Sequence, residues 1–201
     1  LMGPDCGTAI INGVGFGFAN RVRRGNIGIV AASGTGLQAV ATEVHHLDGG
    51  VSQAIGVGGR DLKSEVGGVT ALQALDWLAR DEATDVILLI SKPPSASVAA
   101  RLLQAAQACG KPVVVNFIGY PPPGRQLGNL TFASGLSDAA ELAARLSQAG
   151  PKKSAEPRRP LSGYVRGLFS GGTLAFEMWL GLEPVLTPLY SNLTLDPERK
   201  L

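Results

Sequence analysis

Continuous apolar runs alternate along this chain with stretches whose apolar residues recur every three or four positions. Residues 26–32 (NIGIVAA) predict a buried strand, and residues 37–47 place Leu37, Val40, Ala41, Val44 and Leu47 on one helical face. The alternation continues with a strand over 52–57, a helix over 69–79, a strand over 85–90, a helix over 97–109 ended by Gly110, and a strand over 113–118. A Pro-Pro-Pro-Gly turn, a short strand over 130–133 and a helix over 138–148 follow. Strands separated by helices of this length need a parallel sheet covered on both faces. The expected fold class is α/β: a flavodoxin-like doubly wound parallel sheet of five strands. Ligands of such sheets sit at the carboxyl ends of the strands, which directs attention to the loops after Ala32, Val57, Ile90 and Ile118.

The pattern divides the chain into a glycine-rich lead-in over 1–25, the α/β domain over 26–150, a Pro- and charge-rich linker over 151–162, and a further segment over 163–201. That last segment reads as a strand over 163–169, a turn, and a helix over 174–182. One such unit cannot bury its own apolar surface. It is expected to be the start of a second, similar α/β domain that these residues do not complete, within a longer protein.

Composition narrows the class. A 45% hydrophobic content with 17% charged residues and 27 glycines fits a compact, enzyme-like chain and not a disordered one. The net charge of +2 comes from residues 151–160, where four Lys/Arg face one Glu, leaving the remainder near −1. There is no broad basic face and few aromatics, so nucleic acid is not an expected partner. Cys6 and Cys109 are the only cysteines, which fits a reducing compartment. No apolar run approaches the roughly 20 residues of a membrane span, so a soluble, cytoplasmic protein without membrane contact is expected.

Two turns carry candidate chemistry. Ser33, Gly34, Thr35 and Gly36 follow one predicted strand and open a helix, as do Ser170, Gly171, Gly172 and Thr173. Exposed N–H groups at a helix start, with hydroxyls and glycines that admit a ligand closely, suit a phosphate-like anion. The same residues also cap helices with no ligand at all, and both readings stand. Two helix starts facing one site would hold a phosphoryl group between them. Cys6 is either a nucleophile or a small buried thiol. His45 and His46 are consecutive, so they cannot share a helix face as metal ligands would, and they suit the helix's carboxyl end instead. No metal-ligand cluster is visible, and the glycines around Gly15 lack the strand-to-helix context of a nucleotide loop.

The segments Gly3-Pro4-Asp5-Cys6-Gly7, Gly28-Ile29-Val30 leading into Ser33-Gly34-Thr35, Val57-Gly58-Gly59, and Pro122-Pro123-Gly124-Arg125-Gln126-Leu127-Gly128 resemble, in order and spacing, motifs of the succinyl-CoA synthetase α chain. The likeness covers about residues 3–150. The segment from Gly163 is similar to the start of the β chain's ligase domain, and such a fusion resembles the FdrA-type acyl-CoA synthetase-like proteins. The resemblance implies that residues 1–25 lead in from a CoA-binding-type domain. It also implies joining of a carboxylic acid to CoA through an acyl phosphate, with the phosphoryl group carried on a histidine between two helix starts. At that histidine's position stands Asn129, and at its supporting glutamate's position stands Lys92. An amide cannot become a phosphoramidate, nor an ammonium a carboxylate partner, so the relay is absent while the anion cradle remains.

The expected function is therefore an acyl-CoA synthetase-like protein that handles a carboxylate through an acyl or carbamoyl phosphate. Asn129 would donate to a substrate oxygen and Lys92 would stabilise the phosphate, with Cys6, Gly58 and Gly59 as further site positions. The FdrA-type likeness also implies an oxamate carbamoyltransferase subunit of purine-ring (allantoin) catabolism. A second class of reading is a non-catalytic scaffold or ligand-sensing subunit. Expected partners are a small carboxylate, a phosphorylated ligand and other subunits of a homo- or hetero-oligomer. CoA or a nucleotide, if used, would be bound by parts outside this segment.

Overall fold

The computed structural model describes residues 6–120, 122, 124–147, 163–194 and 196–200. The chain divides into two compact units, residues 1–151 and 152–201. The linker expected over 151–162, and part of the proline turn at 121–124, lie outside the described residues.

The first unit opens with a hairpin of β1 (Thr8–Ile11) and β2 (Val14–Gly17). Asn12 and Gly13 both take positive φ, 50° and 81°, which is the two-residue turn whose twist matches that of its strands. There follow β3 (Arg24–Ala32), α1 (Gly34–His46), β4 (Val51–Gly56), α2 (Val69–Arg80), β5 (Val86–Ser91), α3 (Ala96–Ala108) and β6 (Val113–Phe117). The unit closes with β7 (Gln126–Leu127), β8 (Leu130–Phe132) and α4 (Leu136–Leu146).

The eight strands among the described residues form one sheet, ordered β2-β1-β4-β3-β5-β6-β8-β7. The five strands from β4 to β8 through β3, β5 and β6 are parallel. Numbered among themselves in chain order they run 2-1-3-4-5, the flavodoxin-like order. The five expected strands are thus the centre of a wider sheet. The β1–β2 hairpin extends it antiparallel beyond β4, and β7 extends it antiparallel beyond β8. Residues 8–17, expected as a lead-in, belong to this sheet.

Every residue of β4, β5 and β6 is buried, as strands covered on both faces must be. Val30, Ala32, Ile87, Leu89, Val113, Val115 and Phe117 face α2 and α3, which contribute Leu75, Leu78, Val98 and Leu102. Helices α1 and α4 pack on each other and on β3 to β6.

In the second unit, α5 spans Gly172–Leu182, and Arg199 ties Glu183 to Asp196. The strand expected over 163–169 is corrected: these residues form neither strand nor helix, and Tyr164 and Leu168 are fully exposed. Their apolar content satisfies the strand pattern, but a strand also requires a pairing edge, and among the described residues none is offered.

Candidate functional site

Helix α1 begins where it does because Ser33 is extended, at φ −153° and ψ 110°, and its Oγ accepts the Gly36 N–H at 3.0 Å. A Cβ on Gly36 would lie 2.7 Å from Ser33 Oγ and 3.3 Å from Ile90 Cγ2. Gly36 is therefore glycine so that the first turn can pack on the sheet. Of the turn expected to meet an anion with its N–H groups, Gly36 is not available, since its donor is already engaged by the cap. The pair left by position in the first turn is Gly34 and Thr35, for which no acceptor is recorded among the described residues. Gly34 is exposed, and a Cβ there would have nothing closer than Thr8 Oγ1 at 4.0 Å, so a ligand can approach.

The residue before this turn, Ala32, pairs in register with Ser91 at the end of β5. The connections leave β3 and β5 in opposite directions here, and a crevice results. It is a cavity of about 400 Å³ with one wall from Ala32 and Gly59, one from the 62–65 loop, and one from Ser91, Lys92, Pro93 and Ser95.

Buried Asp61 anchors the middle wall. Its Oδ1 accepts the Thr70 N–H at 2.9 Å and its Oδ2 the Ala71 N–H at 2.8 Å, closing the amino end of α2 with an internal carboxylate. The Asp61 carbonyl accepts the Gly68 N–H at 2.7 Å, and the Leu62 carbonyl accepts the Ser95 N–H at 3.1 Å. Gly58 takes φ 81° at the loop's start and Gly59 lines the cavity. Glu65 is held below the usual carboxylate range by its own main-chain N–H, then by the Ser64 hydroxyl and the Lys63 ammonium.

Lys92 lies at this carboxyl end of the sheet, exposed and lining the cavity. Asn129 does not join it, and its expected role is corrected. It sits in the β7–β8 turn, just before the strand start that pairs with Val113, at the amino end of the parallel strands. Its Nδ2 donates to the Ala106 carbonyl at 2.9 Å and the Lys111 carbonyl at 2.7 Å, so both amide hydrogens clip main chain together. Nearby, the Lys111 ammonium donates to the Leu78 and Asp81 carbonyls at the end of α2. Burial pushes the Asp81 carboxyl up, but Thr84, Ala83, Gln53 and Lys111 together hold it below its ordinary value.

The Cys6 thiol donates to the Gly56 carbonyl at the end of β4, so it is packed at the correct end of the sheet but hydrogen-bonded to backbone. His45 and His46 occupy the last turn of α1, where His45 Nδ1 accepts the Arg23 N–H at 3.1 Å. In the second unit Gly171, not Ser170, is the residue preceding α5, and no side chain caps that helix. Thr173 there is buried.

Sequence reasoning missed Asp61, Lys63 and Ser95. Asp61 is separated by nine residues from the first N–H it accepts, beyond the spacing of a local capping box. Ser95 has the sequence signature of an N-cap after two prolines, yet it makes no cap bond. Among the described residues no group of His, Cys, Asp and Glu could hold a metal ion, and no helix is long and apolar enough to cross a membrane.

Comparison with known proteins gives concordant results. The family described as succinyl-CoA ligase-like flavodoxin domain matches residues 24–154. A protein of Escherichia coli (strain K12) named uncharacterized protein YahF is 47% identical over 218 residues, covering 100% of this chain and 42% of the relative. The α subunit of an ADP-forming succinate–CoA ligase of Aquifex aeolicus (strain VF5) is 30% identical over 133 residues, covering 64% of this chain and 42% of that protein. The solved acetyl-coenzyme A synthetase 1 of Ca. Korarchaeum cryptofilum, in complex with phosphate and ADP, is 18% identical and shares the fold with a TM-score of 0.58, over 73% of this chain and 36% of that one. The chain thus spans about two fifths of the length of the curated relatives it matches.

Proposed function

Because the chain belongs to the succinyl-CoA ligase-like flavodoxin domain family, we propose that it is the phosphoryl-holding part of a CoA-ligase-type protein that handles a carboxylate through an acyl or carbamoyl phosphate. The observation that carries this reading is the turn after β3. It presents the Gly34 and Thr35 N–H groups at the sheet's switch point, beside a cavity large enough for a small organic substrate.

No histidine relay enters this reading. Asn129 is held by main chain at the far end of the strands, and His45 and His46 lie at the end of α1. The phosphorylated species is then used directly, which favours the FdrA-type reading with carbamoyl transfer involving oxamate. A cavity of about 400 Å³ suits a phosphorylated acyl group and is too small for the whole of CoA. CoA or a nucleotide would be held by other parts of the protein or by other subunits. The use that Asn129 makes of its amide favours the second reading, a scaffold or ligand-sensing subunit that keeps the fold without turnover.

The deciding experiment assays the protein that carries this chain for CoA thioester formation and for carbamoyl transfer. The catalytic reading expects one of the two, with loss on Thr35→Pro. Absence of both in a folded, phosphate-binding protein selects the scaffold reading.

A further inference from the structure

β2 is a terminal strand of the sheet, and among the described residues no strand pairs with its outer side. In a hairpin with a two-residue turn the residues flanking the turn exchange both hydrogen bonds, and every second pair repeats this. Val14 and Phe16 therefore bond to β1, while Gly15 and Gly17 turn their main-chain groups to the open edge. Such an edge is a template for pairing, which proteins usually blunt with lysine, proline or a bulge. β2 has none of these: its sequence is VGFG, and its register with β1 is unbroken. Phe16 lies opposite Ala9 and Val14 opposite Ile11, and Ala9 in turn lies opposite Ile55 of the core. Cross-strand partners share a face, so the apolar face of the sheet continues onto β2, where Val14 and Phe16 are 57% and 53% exposed. The other face of β2 is crossed by the return segment 18–23, since a Cβ on Gly15 would lie 3.1 Å from Ala19 Cβ. That segment is basic. From Gly7 to Thr42 the chain holds Arg21, Arg23 and Arg24 and no Asp or Glu. Arg23 pairs with Asp48, whereas among the described residues neither Arg21 nor Arg24 meets a carboxylate. Arg24 passes the hairpin's turn, its Cδ 3.7 Å from where a Cβ on Gly13 would stand.

We propose that β2 docks an extended, acidic segment of a partner polypeptide, which joins the sheet as a further strand. Its main chain pairs with Gly15 and Gly17, its apolar side chains lie beside Val14 and Phe16, and its carboxylates, on the alternate positions, meet Arg21 and Arg24. The period of two in a strand matches an edge that is apolar on one face and basic on the other. A second copy of this hairpin is the wrong occupant, because arginine would meet arginine across the new pairing. An anionic lipid surface matches the charge but leaves the outward main-chain groups of Gly15 and Gly17 without partners.

The test titrates short capped peptides into the full chain and follows backbone amide resonances. A peptide alternating valine and glutamate is expected to give saturable displacement, largest at the Gly15 and Gly17 amides. Lysine in place of its glutamates, or Arg21→Gln together with Arg24→Gln in the protein, should weaken binding about tenfold, while Arg21→Lys with Arg24→Lys should stay within about threefold of the parent. Both arginines are exposed, so the spectrum away from the hairpin should be unchanged in these variants. N-methylation of the peptide main chain should abolish the response, because the pairing is made by main-chain hydrogen bonds. The proposal is overturned if the lysine peptide binds as the glutamate peptide does, if the N-methylated peptide still binds, if the double Gln variant keeps the parent affinity, or if no peptide binds. Sedimentation of the chain with phosphatidylserine vesicles while every peptide is silent would assign the hairpin to a membrane surface and overturn it as well.

Discussion

Asp61 and Asp138 show how single carboxylates fix the loops around the sheet. Asp61 satisfies two N–H groups at the start of α2, so Asp61→Ala leaves both donors without their acceptor and should cost about 1–3 kcal/mol in urea unfolding. Hydrogen exchange should also accelerate in the 62–68 loop, which that carboxylate pins to the helix. Asp138 accepts from both Arg125 nitrogens, at 2.6 and 2.7 Å, and from the Ser134 N–H and hydroxyl. The Arg125 hydrogen bonds come first among the causes that lower its pKa from 3.8 to about 2, with burial opposing them. Since the folded pKa lies below the unfolded one, the stability this group adds is present above about pH 4 and is lost as pH falls towards about 2. Asp138→Asn should therefore lower stability at neutral pH by roughly 1 kcal/mol, with Arg125 half-exposed and partly screened, and should flatten the decline between pH 4 and 2. A decline unchanged in shape would assign the acid sensitivity to other groups.

At the scale of elements, the five parallel strands and four helices of the first unit were legible because their buried faces repeat with clear periods. The turn that opens α1 was legible too, since Ser33 and the glycines after it sit between a run of apolar residues and a helical stripe. Which N–H groups remain for a ligand was not, because the Gly36 donor is taken by a local side chain whose choice depends on one rotamer. The β1–β2 hairpin was missed for a related reason: glycine and small residues dilute its alternation, and its Asn12-Gly13 turn is the stronger signal. Asn129 was misplaced because its neighbours resemble a motif whose location in space depends on the pairing of β7 with β8, which is a two-residue strand with no periodicity to read. Its structural role predicts that Asn129→Ala removes two bonds that join the start of β8 to the end of α3 and to the connection between α3 and β6. Thermal unfolding should then show a loss of about 1–3 kcal/mol, with phosphate affinity unchanged. A folded variant with weakened phosphate binding would return Asn129 to the ligand site.

For the first unit, the candidate ligand chemistry lies at the carboxyl ends of the parallel strands. The carboxyl ends of β3, β4 and β5 carry the Ser33-capped turn proposed to hold a phosphoryl group, the glycines after β4 and the lysine-lined cavity, while Asn129, Lys111 and Asp81 lock the amino ends. The second unit has its own helix start, at Gly171, with no side-chain cap. The proposed function rests on the turn that opens α1, and the direct measurement is a titration of inorganic phosphate into the chain with backbone amides observed by NMR. The predicted result is saturable displacement, largest at the Gly34 and Thr35 amides and small at Gly36, whose N–H stays on Ser33 Oγ. No saturable change at Gly34 and Thr35, or a larger response at the amino ends of the strands, would contradict it.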